Sequence, residues 1–351
     1  MRRKVSLAEV AAAAHVSPTT VSHVLSGKRP VNPETEQRIR EAMQELGYVP
    51  NYVAQSLARG STHTIGLIVA DISNPYFAEL VKGATEAANE LEYNVVLANT
   101  AFNEVREEQV LKQLVSGRLD GLIYGAGAPP SLQRLRAAIK NFPTVTVDES
   151  IDQLEVAAIV SDNYEGGRLM GEHLARLGHR SVLYLGGPLA LGTSHSRQRG
   201  LRDGLSSVCA GEKPEVKVHE VFANYQLEGG AEALQRELEI GRNWTAVFAG
   251  NDLMAVGAIQ ALLQAGLSVP GDVSVSGFDD ILAARLFQPR ITTIRQPACD
   301  MGRVAAETLI MALEGGVPLM HKEVVLGVEL VVGESTGPVA VEVRQPAEIQ
   351  E

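Results

Sequence analysis

From Thr64 to about Ser335 the chain alternates short, continuous apolar runs with amphipathic stretches, and this pattern restricts the architecture more than any other feature. Ile65-Gly66-Leu67-Ile68-Val69-Ala70 has no polar side chain, as a strand covered on both faces requires. The periodicity predicts a helix over 76–91, a strand over 94–99, a helix over 104–116 and a strand over 121–124. Further strands are expected near Val145, Ile159, Val182, Val218, Val247 and Val275, with helices over 164–177, 199–205, 227–238 and 252–265. Regular β–α alternation means a parallel sheet covered by helices. A single sheet would need about eleven strands, more than an open twisted sheet usually holds, so two Rossmann-like lobes are expected. Ligands in such folds sit beyond the carboxyl ends of the strands, which here means the cleft between the lobes.

The first sixty residues have a different texture. In Val16-Ser17-Pro18-Thr19-Thr20-Val21-Ser22-His23-Val24-Leu25, Ser17 suits an N-cap and Pro18 the first helical position. Val21, Val24 and Leu25 share one face, leaving Thr19, Thr20, Ser22 and His23 outward. Ser6 and Glu9 form an S-x-x-E capping box for an earlier helix, with Leu7, Val10, Ala11 and Ala14 as its stripe. His15-Val16 supplies a tight turn between the two. A third helix follows Asn32-Pro33, with Ile39, Met43 and Leu46 at helical spacing. Two helices joined by a tight turn make a helix-turn-helix, and short polar side chains on the second suit a DNA major groove. On periodicity alone, an ordinary three-helix bundle with a solvated face fits equally. Residues 51–59 carry helix signals that Gly60-Ser61-Thr62 interrupts, marking a linker.

The chain has 351 residues, 45 % of them hydrophobic, which suggests two or three domains with substantial cores. Its formal charge of −11 is unevenly divided: residues 1–60 hold eight Lys/Arg against five Glu, a net +3, and the rest carries −14. A basic head on an acidic body can still neutralise phosphates. Cys209 and Cys299 are isolated and read as reduced structural thiols. No run approaches a membrane span, and Glu9 and His15 interrupt the only faint resemblance to a secretory signal. A cytoplasmic location is expected. Enzyme signatures are lacking: Gly125-Ala126-Gly127 is no dinucleotide fingerprint, and there is no phosphate-binding loop, metal-ligand spacing or nucleophile elbow. A non-enzyme without metal or cofactor is therefore expected, with His179 and His195 on the surface.

The strand ends supply a ligand-binding set: Asp71, Tyr76 and Phe77 after the first core strand, then Asp162, Arg197, Tyr225, Asn251, Asp279 and Gln296. Carboxylates, amides and an arginine fork beside aromatic faces suit a neutral, hydroxyl-rich molecule. Asp and Asn after strands also cap helices, so Asp162 and Asn251 could do only that.

Leu7-Ala8-Glu9-Val10-Ala11, Val16-Ser17, Thr20 to Leu25, Val31-Asn32-Pro33-Glu34-Thr35, Leu46-Gly47-Tyr48-Val49-Pro50-Asn51 and Ala54-Gln55-Ser56-Leu57-Ala58 together resemble the DNA-binding headpiece of the LacI/GalR family of bacterial transcriptional regulators. The similarity continues to about Ser335. It implies a headpiece over 1–50, a hinge helix over 51–62, an effector-binding and dimerisation core over 63–335 and a flexible tail over 336–351. The core would be periplasmic-binding-protein-like, its first lobe about 63–160 and 291–320 and its second about 161–290 and 321–335, with crossovers near Ser161, Gln288 and Met320. The resemblance implies that Thr19 and His23 read base edges, that Pro18 shapes the helix start, and that Ser6, Ser17, Thr20, Ser22, Asn32, Thr35, Asn51 and Ala54 contact DNA. Leu57 would be a wedge in the minor groove. The residues from Tyr76 to Gln296 named above would line the effector pocket. Relatives that bind a purine place a basic residue at the position matching Leu191, so an apolar residue there favours a sugar or sugar derivative. The tail has no leucine heptad, which favours a homodimer on a pseudo-palindromic operator. The residues leave two alternatives open: a sugar-binding sensor without DNA function, and a protein corepressor acting beside the small molecule.

Overall fold

Three helices open the chain, each started by a local cap. In the computed structural model, which describes residues 5–26, 29–48, 61–116, 119–128, 131–151, 154–208, 215–315 and 322–339, the first helix is Leu7–Ala13. Its capping box is complete: the Ser6 hydroxyl accepts from the Glu9 amide, and the Glu9 carboxylate accepts from the Ser6 amide at 2.7 Å. His15 takes a left-handed φ of 52° in the turn, and the second helix follows as Pro18–Ser26. Asn32 caps the third, Pro33–Leu46, which ends on left-handed Gly47. Val10, Ala11, Ala14, Val21, Ile39 and Ala42 form the shared core. The third helix therefore buries Ile39, Ala42 and half of Met43, while Leu46, expected in the stripe, is 39 % exposed. This headpiece belongs to one compact unit, which extends to Thr64 and includes Asp120, and the chain from Ile65 onward otherwise forms a second.

The second unit contains strands β1 (Thr64–Val69), β2 (Asn94–Asn99), β3 (Gly121–Tyr124), β4 (Thr144–Val147), β5 (Ala157–Ser161), β6 (Ser181–Gly186), β7 (Lys217–Phe222), β8 (Ala246–Ala249), β9 (Ser274–Ser276), β10 (Thr293–Arg295), β11 (Glu323–Leu326) and β12 (Glu329–Val331). They form two lobes. One sheet runs β11-β5-β4-β3-β1-β2 and the other β7-β6-β8-β9. The pairs joining β11 through β1 in the first sheet, and all those in the second, are parallel. The antiparallel pair β10–β12 is joined to β9 by bridges at Ser276–Thr292 and Asp279–Arg295. In both sheets the order reverses beside the first strand, so switch points lie between β1 and β3 and between β6 and β8, where such folds bind ligands.

The first crossover follows β5 at Ser161, as expected. The other two differ from expectation. The return to the first lobe comes after β10 rather than near Gln288, and the last crossing follows β11 rather than Met320. The pairing explains both shifts. β11 lies parallel to β5, with Val324 opposite Ile159, so it belongs to the first lobe. β10 and β12 pair with each other beside the second sheet, with Ile294 opposite Leu330. These strands are three or four residues long and carry no periodic signal of their own.

The helix expected over 199–205 is longer, Gly192–Ser207. Its first turns escape an apolar count because Thr193, Ser194, Arg197 and Gln198 are polar and buried. The helices Leu132–Ile139, Leu282–Leu286 and Ala298–Leu313 were not foreseen. Asn163–Arg176 packs against Gly192–Ser207 at glycines: a Cβ on Gly200 would lie 2.0 Å from the Tyr164 carbonyl oxygen, and one on Gly167 2.1 Å from that of Arg197. His179 is buried rather than on the surface. Its ring bonds Thr245 Oγ1 at 2.8 Å, and Ser274 Oγ and the Gly337 carbonyl at 3.0 Å each, fastening the segment after β12 to the second lobe. Among the described residues no helix is long and apolar enough to cross a membrane.

Candidate effector-binding site

A cleft lies between the lobes of the second unit, where the carboxyl ends of the two sheets face each other. The first lobe contributes Asn74, Tyr76 and Phe77 after β1, Phe102 after β2, Ala126 after β3 and Asp148 after β4. The second contributes Leu191, Thr193 and Arg197 after β6, Tyr225 after β7, Asn251 after β8, Asp279 after β9 and Gln296 after β10. Seven of the nine residues read from the sequence therefore converge. Asp71 and Asp162 do not line this cleft. The Asp71 carboxylate accepts from the Ser73 amide and hydroxyl in a local turn, and Asp162 caps Asn163–Arg176 by accepting from the Glu165 amide. Asn251 lines the cleft and also caps its helix, accepting from the Met254 amide and donating to the Tyr225 carbonyl. Asp148 and Thr193 escaped the sequence reading. Asp148 carried the same signal as Asp71, an acidic residue directly after a strand, and Thr193 carried none.

Arg197 is the central cation. It is 4 % exposed, donates from Nε to Asn163 Oδ1 at 2.8 Å and from Nη1 to the Gly250 carbonyl, and lies 3.8 Å above the Phe278 ring. Among the described residues no carboxylate forms an ion pair with it. Burial would lower its pKa, but the surrounding groups, Tyr225, Asp279 and Asp148 foremost, raise it instead. Burial pushes Asp279 up to about 7 against the opposing pull of Arg197 and of the Gln296 amide, which donates to it at 2.7 Å. Burial also raises Asp148, which accepts from the Tyr76 hydroxyl at 2.6 Å. The cleft thus sets one guanidinium against two carboxyls held toward neutrality. Gln296 Oε1 is buried and has no hydrogen-bond partner, an acceptor that a ligand hydroxyl would satisfy. Phe102, Asp148, Tyr225 and Asp279 all have left-handed φ, between 52° and 119°. Backbone strain of this kind gathers where surrounding structure fixes a ligand clamp.

In the headpiece, Ser17, Pro18 and Thr19 are exposed at the start of the second helix, with Ser22 and His23 half-buried. Ser17 Oγ accepts from the Thr20 amide at 3.2 Å and shares a hydrogen bond with the Thr20 hydroxyl. Ser6 and Asn32 serve as helix caps, and Thr35 Oγ1 lies 3.5 Å from Arg38 Nη2. Asn51, Ala54 and Leu57 lie outside the described residues.

A helix-turn-helix carried by the same chain as a two-lobed, ligand-type cleft defines a ligand-responsive DNA-binding regulator. The comparisons with known proteins agree: residues 6–51 match the model of bacterial regulatory proteins of the lacI family, and residues 62–321 match that of periplasmic binding proteins and the sugar binding domain of the LacI family. The chain belongs to the LacI family; it is a regulator and not an enzyme. The ribose operon repressor of Haemophilus influenzae is 34 % identical over 309 residues, covering 88 % of this chain and 92 % of that one. The transcriptional repressor PurR of Edwardsiella ictaluri is 35 % identical, covering 87 % and 89 %. A crystal structure of the lac repressor dimer bound to operator and an anti-inducer superposes with a TM-score of 0.81 at 28 % identity, covering 95 % of this chain and all of that one.

Proposed function

We propose that this chain is a cytoplasmic transcriptional repressor that binds a two-fold operator as a homodimer and is controlled by a neutral monosaccharide of pentose size. One observation carries the ligand class: the cleft opposes a single guanidinium to two carboxyls and adds an unpartnered acceptor on Gln296. A phosphate or sugar acid would add negative charge to a cleft whose two acidic groups already oppose its one guanidinium and are held toward neutrality by burial, whereas a polyol carries no charge and can donate to the Gln296 acceptor and accept from Arg197. The similarity to a ribose operon repressor supports a pentose. Tyr76, Phe77, Asp148, Arg197, Tyr225, Asn251, Asp279 and Gln296 hold the sugar. Thr19 and His23 read base edges, Ser17, Thr20, Ser22, Asn32 and Thr35 meet phosphates, and Leu57 from the hinge over 51–62 opens the central step.

The test is a thermal-shift and calorimetric comparison of D-ribose, ribose 5-phosphate and hypoxanthine, followed by operator binding with and without the sugar that binds. At a hundredfold the dissociation constant, D-ribose should stabilise by about 2.7 kcal/mol. Binding of ribose 5-phosphate or hypoxanthine in its place would refute the neutral-sugar reading, and binding of sugar without any effect on operator affinity would refute the regulatory one.

A further inference from the structure

Glu149 belongs to the first lobe and does not line the cleft, yet it joins the two lobes. It follows Asp148 in the loop after β4 and is 4 % exposed. Its carboxylate accepts from the Gly192 amide at 3.0 Å, from the Thr193 amide at 3.3 Å and from the Thr193 hydroxyl. These donors begin the second-lobe helix Gly192–Ser207. That helix has Leu191 at its N-cap, a side chain that cannot accept a hydrogen bond, so its own segment leaves the first-turn amides unsatisfied. The other lobe supplies the missing cap, a carboxyl group that accepts from the first-turn amides.

Both ends of this contact touch the cleft. Asp148, one residue before Glu149, lines it and holds the Tyr76 hydroxyl. The Thr193 hydroxyl lies 3.3 Å from the Tyr225 hydroxyl, and both residues line it. We propose that Glu149 is a closure latch: a positioning residue that caps the Gly192–Ser207 helix only when the lobes meet, so that its binding energy adds to that of the effector. This rests on the cleft being the effector site. A cap formed within one lobe would stabilise the fold whether the lobes are open or closed. A cap formed across lobes is made in the closed state alone, and such differential interaction is what shifts a two-state equilibrium. Burial, and after it the Asp148 carboxylate, push the Glu149 carboxyl up to about 8. That shelter exists only while the lobes are together.

The experiment compares the full-length wild type with Glu149→Ala and Glu149→Gln by amide hydrogen exchange and by D-ribose calorimetry. For Glu149→Ala, exchange at Gly192 and Thr193 should rise at least tenfold and D-ribose affinity should fall about tenfold, with protection across Asn163–Arg176 unchanged. Glu149→Gln keeps one carbonyl acceptor and should recover most of both. A latch is refuted if exchange at Gly192 and Thr193 does not change, or if it changes while sugar affinity stays within twofold, which would make the cap local. Failure of the wild type to bind D-ribose would be a failure of the effector assignment; the latch is then decided by exchange without sugar, where Glu149→Ala should also raise exchange at the cleft-lining Asp148 and Tyr225 on the two lobes, and a rise confined to Gly192 and Thr193 would make the cap local and refute the latch.

Discussion

Replacing Arg197 by Met tests the cleft most directly. The guanidinium donates to Asn163 Oδ1 at 2.8 Å and to the Gly250 carbonyl, and both acceptors are buried or close to it. Each would lose a charge-assisted bond, and leaving a buried acceptor unmade costs about 1–3 kcal/mol. The stacking at 3.8 Å on Phe278 would also go, about 2 kcal/mol for a desolvated cation over a ring. Methionine restores part of this through sulfur–aromatic contact, about 1 kcal/mol. Asp279 and Asp148 lose their stabilising cation and move further toward the neutral form, which limits the penalty of stranding them. The net is a destabilisation of about 3–7 kcal/mol, with the lower end favoured because the two carboxyls can go neutral. Urea unfolding followed through Trp244, the single tryptophan and 2 % exposed, would read it. D-ribose affinity should fall by about a hundredfold, since Arg197 is the one cation lining the cleft among the described residues. A variant within about 1 kcal/mol of wild type, or with sugar affinity within threefold, would refute the account of Arg197 as the buried hub.

Three further outcomes are expected. Ser17→Ala removes the acceptor that caps the second headpiece helix, at about 1 kcal/mol, and should raise amide exchange across Pro18–Ser26 about fivefold; unchanged exchange would mean the cap is redundant. His23→Ala should relax operator preference at about 1–3 kcal/mol per lost base contact, read by binding to cognate and random duplexes; equal loss on both would assign His23 to the backbone. His179 is buried, and burial lowers its pKa from the usual histidine value, so the unfolded chain binds its proton first as pH falls. Its contribution is intact above about pH 6.5 and is lost on acidification below that. Raised carboxyls such as Asp279 act in the opposite direction, so the measurement is the difference between wild type and His179→Asn in thermal midpoint at pH 7.5 and pH 5.5. The gap should narrow at pH 5.5, and a gap independent of pH would exclude the protonation.

Much of the site was legible because a parallel α/β lobe places its functional residues at one kind of position. Tyr76, Arg197, Tyr225, Asn251, Asp279 and Gln296 all follow strands, and strand ends are visible in apolar runs. The same rule proposed Asp71 and Asp162, which the local turn and the helix start use instead. Strand-end position does not say whether a carboxylate turns toward its own backbone or into the cleft.

The sequence by itself determined where the three headpiece helices start and the alternation of strands and helices in the core. Ser6 with Glu9, Ser17-Pro18 and Asn32-Pro33 act within three or four residues, and the buried strands act through their own composition. Tertiary structure alone decided the lobe to which β10, β11 and β12 belong, the burial of His179 and the pairing of Glu149 with Thr193. These depend on partners distant in sequence, 44 residues apart for Glu149 and Thr193, 158 for His179 and Gly337, and farther still for Val324 of β11 and Ile159 of β5. Short-range periodicity carries information about a residue's own element. Which distant donor completes a buried acceptor is fixed only when two elements are brought together, and for Glu149 only when two lobes are.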